Sequence, residues 1–224
     1  MTDGAPAGRD RWAVIIPVKP TALGKSRLAV AGIERVSLAR AIALDTIEAA
    51  ADCDAVGQVF VVTEDAALIT LAFDIPGLRF VPEGDARGID AAVATGAEAA
   101  GERMPRAALL GDLPALRPQD LSAALSTASA LARTVVADAE GTGTTLVTAG
   151  AGMALRTSFG DGSFARHLDL GCVALNVAPD SSLRRDVDTA DQLHSAAGLG
   201  VGRRTRAVLA GAASESRSVQ NSSR

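Results

Sequence analysis

The sequence predicts an α/β protein built on a mainly parallel central sheet. Three observations carry this. Apolar runs too continuous for half-exposed strands alternate with segments of helical period. They follow one another as strand, helix, strand, helix, the order that right-handed crossovers require. A length of 224 residues, 48% hydrophobic and 21% charged, suffices for one sizeable core. The chain is read as one domain over residues 1–212, followed by a disordered polar tail at 213–224.

Trp12–Val18 (WAVIIPV) is the first strand, apolar throughout and β-branched, and so buried on both faces. Ser37–Ala51 has helical period, with Ser37 as its expected N-cap. Gln58–Thr63 (QVFVVT) is a second buried strand, Glu64–Ala72 a short helix, and Gly77–Val81 a third strand. Ile89–Arg103 is an Ala-rich helix. Ala107–Leu110 is a fourth strand. Pro118–Leu131 is a helix with Pro in its favoured first turn. Thr134–Ala137 is a fifth strand. The rhythm then breaks. Thr145–Thr148 is a short strand in a Gly/Thr-rich stretch, and Ser163–Leu168 a short helix. Val173–Val177 and the stretch to Val187 read as further strands, and Ala190–Ala197 as a helix. This second half is expected to cover the carboxyl ends of the first strands. No internal repeat is visible.

Composition excludes several function classes. A net charge of −4 argues against a nucleic-acid partner. No run of about 18 uncharged apolar residues predicts a membrane span. The first residues, MTDGAPAGRDR, lack the apolar segment of a signal peptide, so a cytoplasmic location is expected. Two distant cysteines, Cys53 and Cys172, read as buried apolar residues. With only His167 and His194 present, a His/Cys metal site or a Ser-His-Asp triad is nearly excluded. Any chemistry must rest on carboxylates, cations, backbone amides and a metal held by oxygen.

In open α/β sheets ligands bind at the carboxyl ends of the strands, so the loops there carry the argument. Val18–Arg27 (VKPTALGKSR) follows the first strand and holds Lys19, Gly24, Lys25 and Arg27. The chain has 20 Arg and only these two Lys, so lysine was kept here against a strong arginine bias. Cations and free amides at a strand end suit a polyphosphate. The loop is neither a Walker A nor a GxGxxG sequence, and a plain solvated basic loop is the bland reading. Gly111-Asp112-Leu113-Pro114 places a carboxylate in the same crevice. Carboxylate and polyphosphate tolerate each other when a divalent cation lies between them, and Mg²⁺ prefers one or two carboxylates plus phosphate oxygens.

Asp186-Val187-Asp188-Thr189 puts two acids on one side of an extended segment. Either Asp188 or Thr189 could cap the next helix, the alternative to a ligand role. Asp188 is the preferred metal ligand and Asp186 the second. The loop Glu83–Ala92 contains Gly88 and, in the first helical turn, Asp90. Asp90 could simply complement the helix dipole. It could also accept guanine's N1 and 2-amino donors, which adenine cannot offer. Thr144-Thr145 and Phe159-Gly160-Asp161-Gly162-Ser163 form a second anion site near a helix start, with Ser163 as a candidate N-cap and Arg166 nearby.

Taken in order, PVKP-x4-KSRL, GD-x-P, GT-x-TT, FG-x-GS and DVDT resemble one family from about Trp12 to Leu193. It is the 2-phospho-L-lactate or phosphoenolpyruvate guanylyltransferases of deazaflavin coenzyme F-420 biosynthesis. The resemblance implies a nucleotide-diphospho-sugar transferase architecture, glycosyltransferase-A-like and Rossmann-like. It implies that Lys19, Lys25 and Arg27 embrace a nucleoside triphosphate; from their loops, Gly24, Glu83, Gly88 and Asp90 are expected around the nucleotide. It implies that Asp112 and Asp188 hold Mg²⁺, and the spacing keeps Asp186 as a further candidate ligand. Thr145, Gly160 and Ser163 match the small residues placed around the phosphorylated acid. The family's broader relatives often carry Leu-Asn-x-Ala where this chain has Ile89-Asp90-Ala91-Ala92.

The expected partners are GTP and a three-carbon phosphorylated acid. Phosphoenolpyruvate, 2-phospholactate and 3-phosphoglycerate are not separated by the sequence. A homodimer through an exposed sheet edge is open, as is hand-over of an unstable product to the next enzyme. Two other readings stand: a related nucleotidyltransferase with a sugar-phosphate or molybdopterin acceptor, and a non-catalytic GTP-binding protein.

Overall fold

The computed structural model describes residues 11–19, 28, 30, 32–85 and 87–222, with the backbone alone over 213–222. The elements are β1 (Trp12–Pro17), α1 (Arg35–Ala51), β2 (Val56–Val62), α2 (Ala66–Leu71), β3 (Leu78–Val81), α3 (Ile89–Ala100), β4 (Arg106–Leu109), α4 (Pro118–Ala128), β5 (Arg133–Ala137), β6 (Thr144–Ala149), α5 (Ser163–Asp169), β7 (Val173–Ala174), α6 (Ala190–Leu199) and α7 (Arg203–Ser222). A 3-10 turn covers Ser182–Arg184. The seven strands form one sheet in the order β3-β2-β1-β4-β6-β5-β7. Pairing is parallel except where β6 lies antiparallel to both β4 and β5.

The continuous apolar run of β1 has its predicted cause. Trp12, Val14 and Ile16 pack with Leu44 and Ile47 of α1 and with Leu121 and Leu125 of α4. Ala13 and Ile15 pack on the other face with Ala92 and Ala97 of α3. Helices on both sides leave neither face for solvent, so no polar residue alternates in. Gly96 sets how close α3 comes. A Cβ there would lie 2.5 Å from Ile15 Cγ2 and 2.7 Å from Val62 Cγ2.

Several local expectations shift. Glu34, not Ser37, caps α1: its carboxylate accepts the N–H groups of Val36 and Ser37 at 2.9 and 2.6 Å. A carboxylate at this end also answers the helix dipole, which a serine hydroxyl does not. Gly162 in the left-handed region precedes α5, so Ser163 is its first residue rather than its cap. At α6 the cap is Thr189, in a reciprocal capping box with Gln192. β7 is two residues long, and the stretch before Val187 turns as the short 3-10 segment instead of extending.

The backbone of α7 continues to Ser222, whereas the polar composition predicts disorder from about Ala213. That stretch contains no proline, and Ala, Glu, Arg and Gln all favour helix. α7 begins on α1. Asp45 of α1 accepts the N–H groups of Arg204 and Thr205 at 3.0 and 2.8 Å. A Cβ on Gly202 would lie 2.3 Å from Asp45 Cγ. No helix among the described residues is long and apolar enough to cross a membrane.

Candidate active site

Two adjoining cavities open at the carboxyl ends of β1, β4 and β5. One, about 260 Å³, is walled by Pro17, Val18, Lys19, Ala39, Ala43 and Gly111. The other, about 290 Å³, is walled by Asp138, Thr142, Gly143, Thr144, Asp186 and the loop Phe159–Ser163. Ile89, Leu110, Asp112 and Asp188 line both. The fold therefore delivers a cation-bearing side and an acidic side that share a pair of carboxylates.

Asp112 arrives there because β4 ends beside β1. A Cβ on Gly111 would sit 3.2 Å from Val18 Cγ2 and 3.3 Å from Ile16 Cγ2, so the turn lies close against β1. The next residue, Leu113, donates its N–H to Thr46 Oγ1 of α1 at 3.0 Å. The carbonyl of Asp112 accepts the Val187 N–H at 3.0 Å. That bond stitches the GDLP turn to the Asp186–Asp188 segment, two motifs far apart in sequence.

The acidic side is electrostatically crowded. Asp186 is pushed up to about 7, first by burial, then by the charges of Asp112, Asp138 and Asp188. Its Oδ1 is buried and has no hydrogen-bond partner among the described residues. Asp138, Glu140 and Asp186 bring carboxylate oxygens within 4.8 Å of one another. Asp138 is held in place by the N–H groups of Thr142 and Gly143 at 3.0 and 2.8 Å. Arg184 donates to the backbone carbonyl of Asp138 at 2.7 Å. Glu140 accepts from Gln192 Nε2 at 3.2 Å. A buried carboxylate oxygen facing further carboxylates suits a hard divalent cation with oxygen ligands.

The predicted residues divide into three groups. Lys19, Asp112, Asp186, Asp188, Gly160 and Ser163 come together on the two cavities. Gly24, Lys25 and Arg27 lie outside the described residues. Others sit differently from the simplest expectation. Thr145 is fully buried with its hydroxyl unpartnered, and Thr144 takes the wall position. Glu83 has a buried, unpartnered Oε1. Burial and the charge of Glu64 raise its pKa, against Lys19 and Arg87. Gly88 precedes α3 with φ +90°, a conformation that favours glycine. Asp90, the candidate guanine reader, has one carboxylate oxygen already occupied. Oδ1 accepts the Phe159 N–H at 2.9 Å.

Asp138 and Glu140 are the members of the acidic group that sequence reasoning missed. The signal was present: Asp138 follows β5 as Asp112 follows β4, and an acid immediately after a buried strand points into the crevice.

The strand order is that of a mixed α/β fold of nucleotide-diphospho-sugar transferase architecture. Solved structures share the fold. A nucleotidyl transferase from Methanothermobacter superposes with a TM-score of 0.55 at 19% identity, over 86% of this chain and 98% of that one. The 4-diphosphocytidyl-2C-methyl-D-erythritol synthase of Anaerococcus prevotii gives 0.56 at 14% identity, over 85% and 98%. The family is more definite. Residues 12–210 match the model of the guanylyl transferase CofC-like family, and the chain belongs to it. Proteins named phosphoenolpyruvate guanylyltransferase are 45% identical in Thermomonospora curvata, over 89% of both chains, and 46% in Geodermatophilus obscurus, over 90% of this chain and 95% of that one.

Proposed function

We propose that the chain transfers GMP from GTP to the phosphate of phosphoenolpyruvate and releases pyrophosphate. The observation that carries this reading is the carboxylate group shared between the Lys19 cavity and the Phe159–Ser163 cavity, in a guanylyl transferase family member. The names of relatives at 45% identity support the acceptor. An oxygen of the acceptor phosphate attacks the α-phosphorus of GTP. The bond from the α-phosphorus to the bridging oxygen breaks, and pyrophosphate leaves with that electron pair. The acceptor oxygen is already anionic, so the step needs no general base. That agrees with the histidines. His167 is fully buried and engaged on both ring nitrogens, and His194 is exposed on α6, off both cavities.

The chain then works by position and charge. Lys19, with Lys25 and Arg27 of the same loop, offsets charge on the departing pyrophosphate. Gly24, Gly88 and Glu83 shape the nucleotide side. Gly160 and Ser163, with Thr145 behind the wall, receive the acid. Asp112, Asp186 and Asp188 would hold Mg²⁺, with Asp138 and Glu140 beside them. When bound, the ion supplies the positive charge that lets phosphates approach this crevice. The reading places the enzyme in the cytoplasm and in coenzyme F-420 biosynthesis, with its unstable adduct passed to the next enzyme.

The test is pyrophosphate release with GTP, ATP or CTP against phosphoenolpyruvate, 2-phospho-L-lactate or 3-phosphoglycerate, with the next pathway enzyme trapping the product. Release with GTP and phosphoenolpyruvate alone is the expected result. Release with another pair moves the base or the acceptor. Silence across the panel from folded protein contradicts the reading.

A further inference from the structure

The loop Ser158–Gly162 lines the acidic cavity from Phe159 onward, and side chains from two helices grip its peptide groups in succession. His167 of α5 accepts the Ser158 N–H on Nε2 at 2.9 Å. Asp90 of α3 accepts the next amide, that of Phe159, at 2.9 Å. Arg166 collects the carbonyls. Its Nη2 donates to Ser158 at 3.1 Å and to Phe159 at 3.0 Å, and its Nη1 donates to Asp161. The Phe159 ring stands edge-on to His167, with centroids 5.1 Å apart.

The grip on Ser158 requires a neutral imidazole. An N–H pointing at Nε2 needs a lone pair there, so the ring proton sits on Nδ1 and is donated to Thr144 Oγ1 at 3.1 Å. Burial holds the His167 pKa below its usual range, which keeps the ring in that form. Asp90 gives the grip its meaning. It lies in the first turn of α3, next to Ile89, which lines both cavities. Its bond spans 69 residues and joins the nucleotide-side helix to the acceptor-side wall.

We propose that Asp90, together with His167, is a positioning residue for the acceptor acid rather than the reader of the guanine base. A carboxylate reading guanine would turn both oxygens to N1 and the 2-amino group. Here one oxygen fixes the loop that faces the carboxylate group. The bond sets the distance between the acceptor phosphate and the nucleotide held beside α3. The inference rests on the proposed reaction for its kinetic consequence, and on geometry alone for the grip itself.

The experiment compares wild type, Asp90→Ala, Asp90→Asn and His167→Leu by two readouts. The first is backbone amide exchange over residues 157–163 in substrate-free protein. The second is KM for each substrate and the GTP-to-ATP preference. Asp90→Ala is expected to raise exchange in the loop and to raise the phosphoenolpyruvate KM about tenfold, the size of one lost charge-assisted bond. The GTP KM and base preference stay within twofold. Asp90→Asn, which keeps an acceptor oxygen, recovers most of the loss. His167→Leu loosens the same loop at the adjacent amide, that of Ser158. Unchanged loop exchange in Asp90→Ala would overturn the proposal. So would a change in base preference with the acceptor KM unmoved, which is the signature of a base reader. If wild type transfers nothing to phosphoenolpyruvate, the proposed function fails, and loop exchange alone then decides the grip.

Discussion

Two carboxylates, one buried and one half-buried, meet opposite surroundings. Asp45, on α1, is 5% exposed and receives two backbone N–H groups from the start of α7. Asp186, at the mouth of the sheet, has a buried oxygen with no partner and three carboxylates for neighbours. The first is satisfied by donors that the chain supplies. The second keeps one buried oxygen that no described group satisfies, and its neighbours make its charge more costly. A buried acid with its donors in place holds a fold together. A buried acid left without them marks a place where a ligand completes the structure. Mutations at the two regions should therefore separate activity from stability.

The largest effect belongs to the crevice. Asp112→Ala is expected to lower kcat on the order of a thousandfold. Its melting temperature should stay at or above wild type, because one like charge leaves a crowded site. Parallel turnover and thermal-melt measurements check both halves. Asp45→Ala should do the reverse. It strands two N–H groups at the start of α7 and costs about 2–4 kcal/mol of stability by chemical denaturation. Its kcat per folded molecule should be unchanged.

The smallest effect is a pH dependence. The folded pKa of Asp186, about 7, lies above the ordinary carboxylate value. The folded state therefore holds this proton more tightly than the unfolded state does. The stabilisation is complete below pH ~4 and is lost as pH rises through about 7. Without metal, Asp186→Asn should gain over wild type as pH rises from 5 to 8, by on the order of 1–2 kcal/mol. Melting curves of the two proteins at both pH values measure it. A constant difference would mean that the repulsion at Asp186 is relieved in solution.

The same contrast explains what the sequence discloses. β1, β2 and β4 are legible because continuous apolar runs report burial on both faces, and burial is written locally. Asp112 is legible because it follows an apolar strand, and Asp186 and Asp188 because alternation puts two acids on one side of an extended segment. The antiparallel insertion of β6 is not legible, since pairing direction depends on which neighbour the strand meets. The position of α7 is hidden for a similar reason: its anchor, Asp45, looks like any acid in a helix until Gly202 brings the chain back onto it. Asp90 shows the limit most clearly. The sequence identifies it as an acid near the nucleotide, but its partner amide lies 69 residues away, and no local pattern encodes that pairing.

The most direct test of the account is a calorimetric titration of metal-free protein with Mn²⁺ as the probe, at pH 6 and pH 8, in wild type, Asp186→Asn and Asp45→Asn. Saturable binding to wild type is expected to tighten from pH 6 to pH 8, because the proton on Asp186 competes with the ion. Loss of that binding is expected in Asp186→Asn, and its retention in folded Asp45→Asn. Binding unaffected by Asp186→Asn, or none in wild type at either pH, would contradict the claim that the buried Asp186 oxygen is kept for a cation.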